Sequence, residues 1–275
     1  MRATEFRDKR SVKIRRSSVH WPAKHQGFQR PMNTLIERIY QTKHVEDSEG
    51  NVINPFPTSI SYDEGLALYN LIRKVQAKNT IELGLAYGLS TLFICQAHHD
   101  NGVGHHTVID PFERTLWKSI GLLNLKKAGL ENLLRFYEAP SHEVLPQLSL
   151  KRERFYFVFI DGNHRFDYVL LDFLYADKLL TPGGYIMFDD LWMPAIRKVC
   201  LFILQNRNYR LTSEFLGTAP LWKQCLKFAR NIVQAPFDIY SLYFSGYILA
   251  RGFSSYCIMQ KIADDNRKWD YYKSF

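Results

Sequence analysis

IELGLAYGLS, from Ile81 to Ser90, decides how the rest of the chain is read. An apolar run carrying an acid, Glu82, stops at Gly84; Gly88 closes a bracket of three residues, and an apolar, helix-like segment starts behind it. This is the pattern of a strand that ends abruptly, a tight turn, and a helix N-terminus with exposed amides. Glycine suits such a turn because it accepts positive φ and lets a ligand approach the backbone. The amides and the helix dipole favour an electron-rich ligand group such as a carboxylate or phosphate. A plain strand–turn–helix corner would give the same string, so the surroundings decide.

Upstream, Leu68, Leu71, Ile72 and Val75 repeat at i, i+3, i+4, i+7, which predicts a helix with one apolar face before a strand over TIEL. Asn79 reads as the end of that helix. Downstream, a helix over GLSTLFICQAHH leads to a strand, TVID, ending in Asp110. A helix over ERTLWKSIGLLNLKKAG follows, then strand LLRFYEA, a short helix over SHEVLPQL, and strand RFYFVFID, apolar throughout as a strand covered on both faces should be. FDYVLLDFLYADKLL reads as a helix stopped by TPGG, YIMFDD as a fifth strand, and Ile196, Val199, Cys200 and Ile203 as one face of the next helix. YRLTSEF and SYCIMQKI add two last strands. Strict alternation of strand and helix predicts an α/β fold: a Rossmann-like, doubly wound, mostly parallel seven-stranded sheet with helices on both faces.

Two parts stand outside this pattern. Residues 1–50 read as a basic N-terminal arm and a lead-in helix near Asn33–Tyr40, followed by a polar loop through Asn51; residues 51–275 form the domain, with an insertion at about 216–252. The net charge is +9, yet residues 1–30 alone hold nine Lys/Arg against two acids, so the folded part is nearly neutral. That disfavours nucleic acid as a partner of the folded part, although a basic arm suits a polyanion, anionic lipid or another subunit. The insertion is rich in Phe and Tyr, which suits a lid or a contact between copies of the chain; Gln234, Pro236, Asp238 and Gly246 interrupt its apolar run, so no membrane span is expected. No CxxC pair and no apolar opening segment occur, pointing to reduced thiols and a cytoplasmic location. Glu5 and Asp8 argue against a mitochondrial presequence.

The glycine turn lacks the GxxxxGK[ST] string of a phosphate loop, and Ala86 replaces the middle glycine of a dinucleotide fingerprint. Asp110, 22 residues beyond Gly88, stands at the interval of an acid that binds ribose hydroxyls, with helix capping as the alternative. Glu82, Asp110, Asp161, Asp189 and Asp190 all fall at predicted strand ends, hence on one rim. If the strands before Asp161 and Asp189 are neighbours, about 4.8 Å apart, three carboxylates converge and need protons or a cation between them. Mg²⁺ or Mn²⁺ is the simplest resident for such oxygen ligands, with capping of the following helix by Asp189 and Asp190 as the alternative. His164, three residues past Asp161, is a candidate base, or else a surface histidine of its loop. The pairs His98–His99 and His105–His106 flank a glycine loop opposite the rim and read as solvated.

IELGLAYGLS resembles the E/D-x-G-x-x-x-G-x-S first motif of class I S-adenosylmethionine-dependent methyltransferases. Asp63-Glu64-Gly65, Ser141-His142, IDGNH and FDD extend that resemblance over about Ser59–Asp190 to the metal-dependent O-methyltransferases, of catechol and caffeoyl-CoA type and of the macrocin and sugar O-methyltransferase-like group. The resemblance implies S-adenosylmethionine contacts from Ser59, Glu64, Glu82, Gly84, Tyr87, Gly88 and Ser90 in the first half. Asp110, Ser141, His142 and Asp161 follow in the second. It implies Mg²⁺ or Mn²⁺ on Asp161, Asp189 and Asp190, with Asp161 and His164 as the catalytic pair. The resemblance implies a small hydroxylated acceptor: a sugar, polyketide, phenol or acyl-CoA. The alternatives are a nucleic-acid methyltransferase that uses the basic arm, disfavoured because base N-methylating families carry [DN]-P-P-[YF] where DGNH stands here, and a non-catalytic binding protein of the same fold, disfavoured by the three acids and His164.

Overall fold

A computed structural model of the chain describes residues 31–212 and 255–271. The basic arm and the 216–252 insertion lie outside them, together with the expected lid, oligomer contact and apolar run.

Helix α1 (Thr34–Thr42) starts where the Asn33 side chain accepts from the Leu35 amide. The polar loop expected next contains a two-stranded hairpin, β1 (Val45–Glu46) and β2 (Val52–Ile53). Asp47 forms it by taking the amides of Glu49 and Asn51, a turn built from one acid that hydrophobic patterning does not show. Helix α2 (Tyr62–Val75) opens with a reciprocal capping box between Ser61 and Glu64 and buries Leu68, Leu71 and Ile72, three of the four residues of the expected stripe. It closes at Gln76 in a left-handed conformation, so Asn79 already belongs to β3 (Asn79–Leu83).

The alternation then runs as the sequence predicts, through α3 (Leu89–Asn101), β4 (His105–Ile109), α4 (Ile120–Lys127), β5 (Leu134–Tyr137), α5 (Ser141–Leu150) and β6 (Phe155–Ile160). It continues with α6 (Phe166–Leu179), β7 (Leu180–Phe188), α7 (Pro194–Asn206), β8 (Tyr209–Thr212) and β9 (Cys257–Lys261). The sheet order is β5-β4-β3-β6-β7-β9-β8, parallel except for β9, which runs antiparallel to β7 and β8. Helices cover both faces. Val158 and Ile160 point into the core with α5, α6 and α7, while Phe157 and Phe159 point into the core with α1 to α4. That alternation within one apolar strand is what burial on two faces requires.

Three local expectations are corrected. α4 begins at Ile120, not in the Glu113 region, because Lys118 and Ser119 are both left-handed (φ 54° and 59°) and interrupt the helical path. TPGG does not end α6 as a free stop: β7 starts at Leu180, paired with Phe155, and slips register before Tyr185 pairs with Phe157, so the strand absorbs the turn residues as an irregularity. His98 and His106 are fully buried rather than solvated; only His99 and His105 are exposed. The register Thr80↔His106 sets the second ring inside the sheet, facing α3. No helix among the described residues is long and apolar enough to cross a membrane.

Candidate active site

The strand order reverses between β3, which leads to β4, and its other neighbour β6. A crevice for a ligand forms outside the carboxyl ends of the strands at such a point. Four loops meet there, after Leu83, Ile109, Ile160 and Phe188, and they bring the turn 84–88 beside Asp110, Asp161 and Asp189–Asp190.

The glycine turn is shaped by the protein's own backbone. Gly84 has φ +100°, and a Cβ there would lie 2.2 Å from the Asp161 carbonyl oxygen. Gly88 (φ +74°) packs less tightly on Gly121, where a Cβ would lie 2.9 Å from its Cα. The close approach that demands glycine is therefore made by the loop after β6 and by the start of α4. Asp110 organises the turn: Oδ2 accepts from the amides of Leu85 (2.8 Å) and Ala86 (3.1 Å), and Oδ1 from Phe112 (2.8 Å). Glu82 is fully buried and accepts from the hydroxyls of Ser90 and Thr91 and from His106 Nε2, tying β3 to the first turn of α3. Tyr87 packs edge-on against Trp117 at 5.2 Å, and its carbonyl accepts from Asn124.

Other residues expected at the cofactor have protein partners as well. Glu64 Oε2 closes the α2 capping box with Ser61, and Oε1 accepts from Ser255. The Ser59 amide donates to the Pro55 carbonyl. Ser141, at the first turn of α5, donates to Asp172 Oδ1 (2.6 Å), whose burial pushes its carboxyl up to about 6. His142 is exposed and meets the Tyr168 ring edge-on at 6.1 Å.

The opposite half of the rim is built differently. His164 Nε2 stands 3.5 Å from Asp161 Oδ1 and 3.1 Å from Asp190 Oδ2. One donor atom from each of Asp161, His164 and Asp190 falls within a 4.8 Å group. Asp190 is left-handed (φ 55°), which swings its side chain toward His164 and toward the Trp192 indole N–H (2.7 Å). Asp189 turns instead toward Glu64, so its carboxylate faces α2. Burial raises Asp161 to about 8 and Asp189 to about 9, and their negative neighbours add to both shifts. The Asp161 hydrogen bond holds His164 above the ordinary histidine value, against burial. His164 Nε2 and Asp189 Oδ1 are both buried atoms without a well-formed hydrogen bond. Repelling carboxylates with unsatisfied lone pairs are what a divalent cation resolves, so the residues fit one. Ser255 and Trp192 have no counterpart in the sequence reading. Ser255 arrives only through the antiparallel β9, while the position of Trp192 beside the acid pair was visible but carried no motif.

Comparison with known proteins agrees with this geometry. Residues 81–191 match a family described as a methyltransferase domain. The chain is 32% identical over 136 residues to tapetum-specific methyltransferase 1 of Arabidopsis thaliana, covering 48% of this chain and 55% of that protein. It is 30% identical over 148 residues to caffeoyl-CoA O-methyltransferase of Populus kitakamiensis, covering 51% and 58%. It thus spans little more than half the length of either relative. Among solved structures, an O-methyltransferase of Bacillus cereus in complex with S-adenosylhomocysteine superposes with TM-score 0.54 at 22% identity, over 66% of this chain and 84% of the other. The O-methyltransferase TomG of Streptomyces achromogenes, in complex with S-adenosylmethionine, gives 0.55 at 17% identity over 84% and 90%. The fold is the Rossmann-like α/β fold of these solved O-methyltransferases. Residues 81–191 carry a methyltransferase domain, in a chain that is similar over about half its length to caffeoyl-CoA O-methyltransferases.

Proposed function

We propose that the chain transfers a methyl group from S-adenosylmethionine to a hydroxyl of a small molecule, with a divalent cation at the acid–histidine cluster. The observation that carries this reading is the contact of Gly84 with the Asp161 backbone, which makes the donor turn and the acid cluster one site. S-adenosylmethionine supplies an electrophilic methyl on sulfonium sulfur, and the loops after β3, β4 and β5 offer the turn, Asp110 and Ser141-His142 to hold it. Asp161 and Asp190 are the carboxylates set to hold Mg²⁺ or Mn²⁺, with Asp189 close enough to add its charge. A bound cation supplies positive charge that lowers the pKa of a hydroxyl nearby.

The chain's own residues carry the rest. His164 is about a third exposed and touches both acids, so its ring lies where an entering hydroxyl meets the cluster and can take that proton. The exposed face of Trp192, hydrogen-bonded to Asp190, gives the acceptor an apolar surface beside the reacting oxygen. Fixing donor and acceptor in line supplies much of the rate. Cys95, Cys200 and Cys257 are buried free thiols, which suits a reducing compartment.

The test incubates the full chain with S-adenosylmethionine and a panel of sugars, phenols, polyketides and acyl-CoA thioesters carrying hydroxyls, with Mg²⁺ or with a chelator, and reads product mass. A gain of one methyl on an acceptor oxygen, lost in chelator, is the expected result. No methylated product from any acceptor class, or no binding of S-adenosylmethionine by calorimetry, would contradict the proposal.

A further inference from the structure

Behind the glycine turn lies a buried polar string that neither the motif nor the proposed chemistry uses. Thr80 and Glu82 point to the same side of β3, but two steps along the strand set them about 6.8 Å apart, too far for contact. His106 closes the gap. It is the cross-strand partner of Thr80, and its Nδ1 lies 2.8 Å from the Thr80 hydroxyl while its Nε2 lies 2.9 Å from Glu82 Oε2. From α3, His98 Nε2 reaches the same hydroxyl at 2.8 Å. All four residues are fully buried.

With both rings neutral and Glu82 a carboxylate, the hydrogens in this string have one arrangement that makes every bond. A carboxylate only accepts, and Glu82 already takes the Ser90 and Thr91 hydroxyls, so His106 presents Nε2–H to it. A neutral His106 then has a bare Nδ1, which accepts the single Thr80 hydrogen; the His105 carbonyl, at 3.4 Å, is the weaker competitor. The Thr80 oxygen in turn receives Nε2–H from His98. His98 Nδ1 is left without a proton; no well-formed hydrogen bond reaches it, and the Val103 carbonyl is the competitor that would draw a proton there. A bare lone pair is tolerated there where a buried orphan N–H is not. Gly104 makes room for that nitrogen: a Cβ would lie 2.3 Å from it. Burial, which pushes His98 down to about 3, keeps the ring neutral.

We infer that His98, Thr80 and His106 form a one-way hydrogen-bond relay that positions Glu82, and through Ser90 and Thr91 the first turn of α3, so that the relay sets how tightly the turn 84–88 holds its cofactor. The inference rests on the proposed reading of that turn as the S-adenosylmethionine site. These are positioning residues. They touch no substrate, and their effect reaches the ligand only through Glu82 and the start of α3.

Thr80→Val removes the central hydroxyl at nearly constant volume, whereas Thr80→Ser keeps it. Thr80→Val is expected to raise the Kd and KM for S-adenosylmethionine about five- to tenfold, the worth of about one hydrogen bond. Turnover at saturating cofactor should stay within about twofold, since the chemical groups are untouched. Thr80→Ser should restore wild-type affinity. Long-range ¹⁵N NMR of the unaltered chain is expected to show both His98 and His106 as neutral Nε2–H tautomers, a readout that stands even if Thr80→Val fails to fold. A Thr80→Val chain that melts earlier yet binds cofactor with unchanged Kd would overturn the positioning role, as would a His98 Nδ1–H or an imidazolium at His106. Failure of the unaltered chain to bind S-adenosylmethionine would instead overturn the proposed function and the cofactor half of the inference together, while the tautomers would still report the relay by itself.

Discussion

The two halves of the rim treat their acids in opposite ways. On the β3–β4 side the two acids of the strand ends are matched: Glu82 has three donors, and Asp110 takes three backbone amides. On the β6–β7 side the acids face one another, His164 Nε2 and Asp189 Oδ1 lack well-formed hydrogen bonds, and Asp161 and Asp189 are held far above ordinary carboxylate values. The matched half is a rigid holder, already organised before any ligand arrives. On the proposed reading the unmatched half is completed by a cation. The proposed function thus divides holding and reacting between the two sides of one switch point.

The largest effect is expected from damage to the unmatched side. Asp190→Asn should lower kcat by at least about 100-fold, the scale of losing one electrostatic contact to the reacting centre, while calorimetry shows S-adenosylmethionine affinity changed by less than threefold. Equal losses of both would erase the division between holder and reactor. His164→Ala should cost about 100-fold in kcat, the range for a general base, with its acid limb missing from the pH–rate profile; an unchanged limb would remove His164 from proton transfer.

Damage to the matched side should appear in binding. Gly84→Ala forces a Cβ toward the Asp161 carbonyl at φ +100°, a strain of about 1–3 kcal/mol. The expected outcome is a lower Tm and weaker cofactor binding, read by calorimetry and thermal melts. Unaltered affinity would show that the turn does not hold the donor. A smaller effect, about three- to tenfold in kcat/KM, is expected for Trp192→Phe, which keeps an aromatic face but removes the N–H on Asp190, worth about one hydrogen bond to a charged group.

Four buried acids, two of them on the unmatched side, set the direction of the pH dependence. Burial raises Asp172 to about 6, Glu113 to about 7, Asp161 to about 8 and Asp189 to about 9. The unfolded chain releases these protons near pH ~4, so between that point and pH ~9 the folded state binds more protons than the unfolded one. Linkage then makes stability fall as pH rises through this window. Melting in chelator should show Tm declining from pH 5 to 9, and saturating Mg²⁺ should flatten the upper part of the curve. A Tm that climbs with pH would reverse the sign and break the comparison.

How much of this was legible in the sequence follows the same division. Strand and helix alternation was plain because each parallel strand here is an apolar run ended by an acid or a glycine, and that pattern also placed Asp110, Asp161 and Asp189–Asp190 on one rim. Partners fixed by register were invisible: nothing in HHTVID tells that His106 meets Thr80 and Glu82 across strands, so the buried histidines looked solvated. Asp189 turning to Glu64 depends on the left-handed Asp190 and on Ser255 arriving with β9, neither of which has a local signal. TPGG carried strong turn chemistry, but pairing with β6 overrode it.

The most direct test is a titration of Mn²⁺ into the full chain, followed by electron paramagnetic resonance, with Asp161→Asn and Asp190→Asn in parallel. The account predicts one cation per chain, binding weakened at least about tenfold in each variant, and methyl transfer that tracks occupancy. Equal Mn²⁺ binding by the variants, or full methyl transfer in chelator, would contradict it.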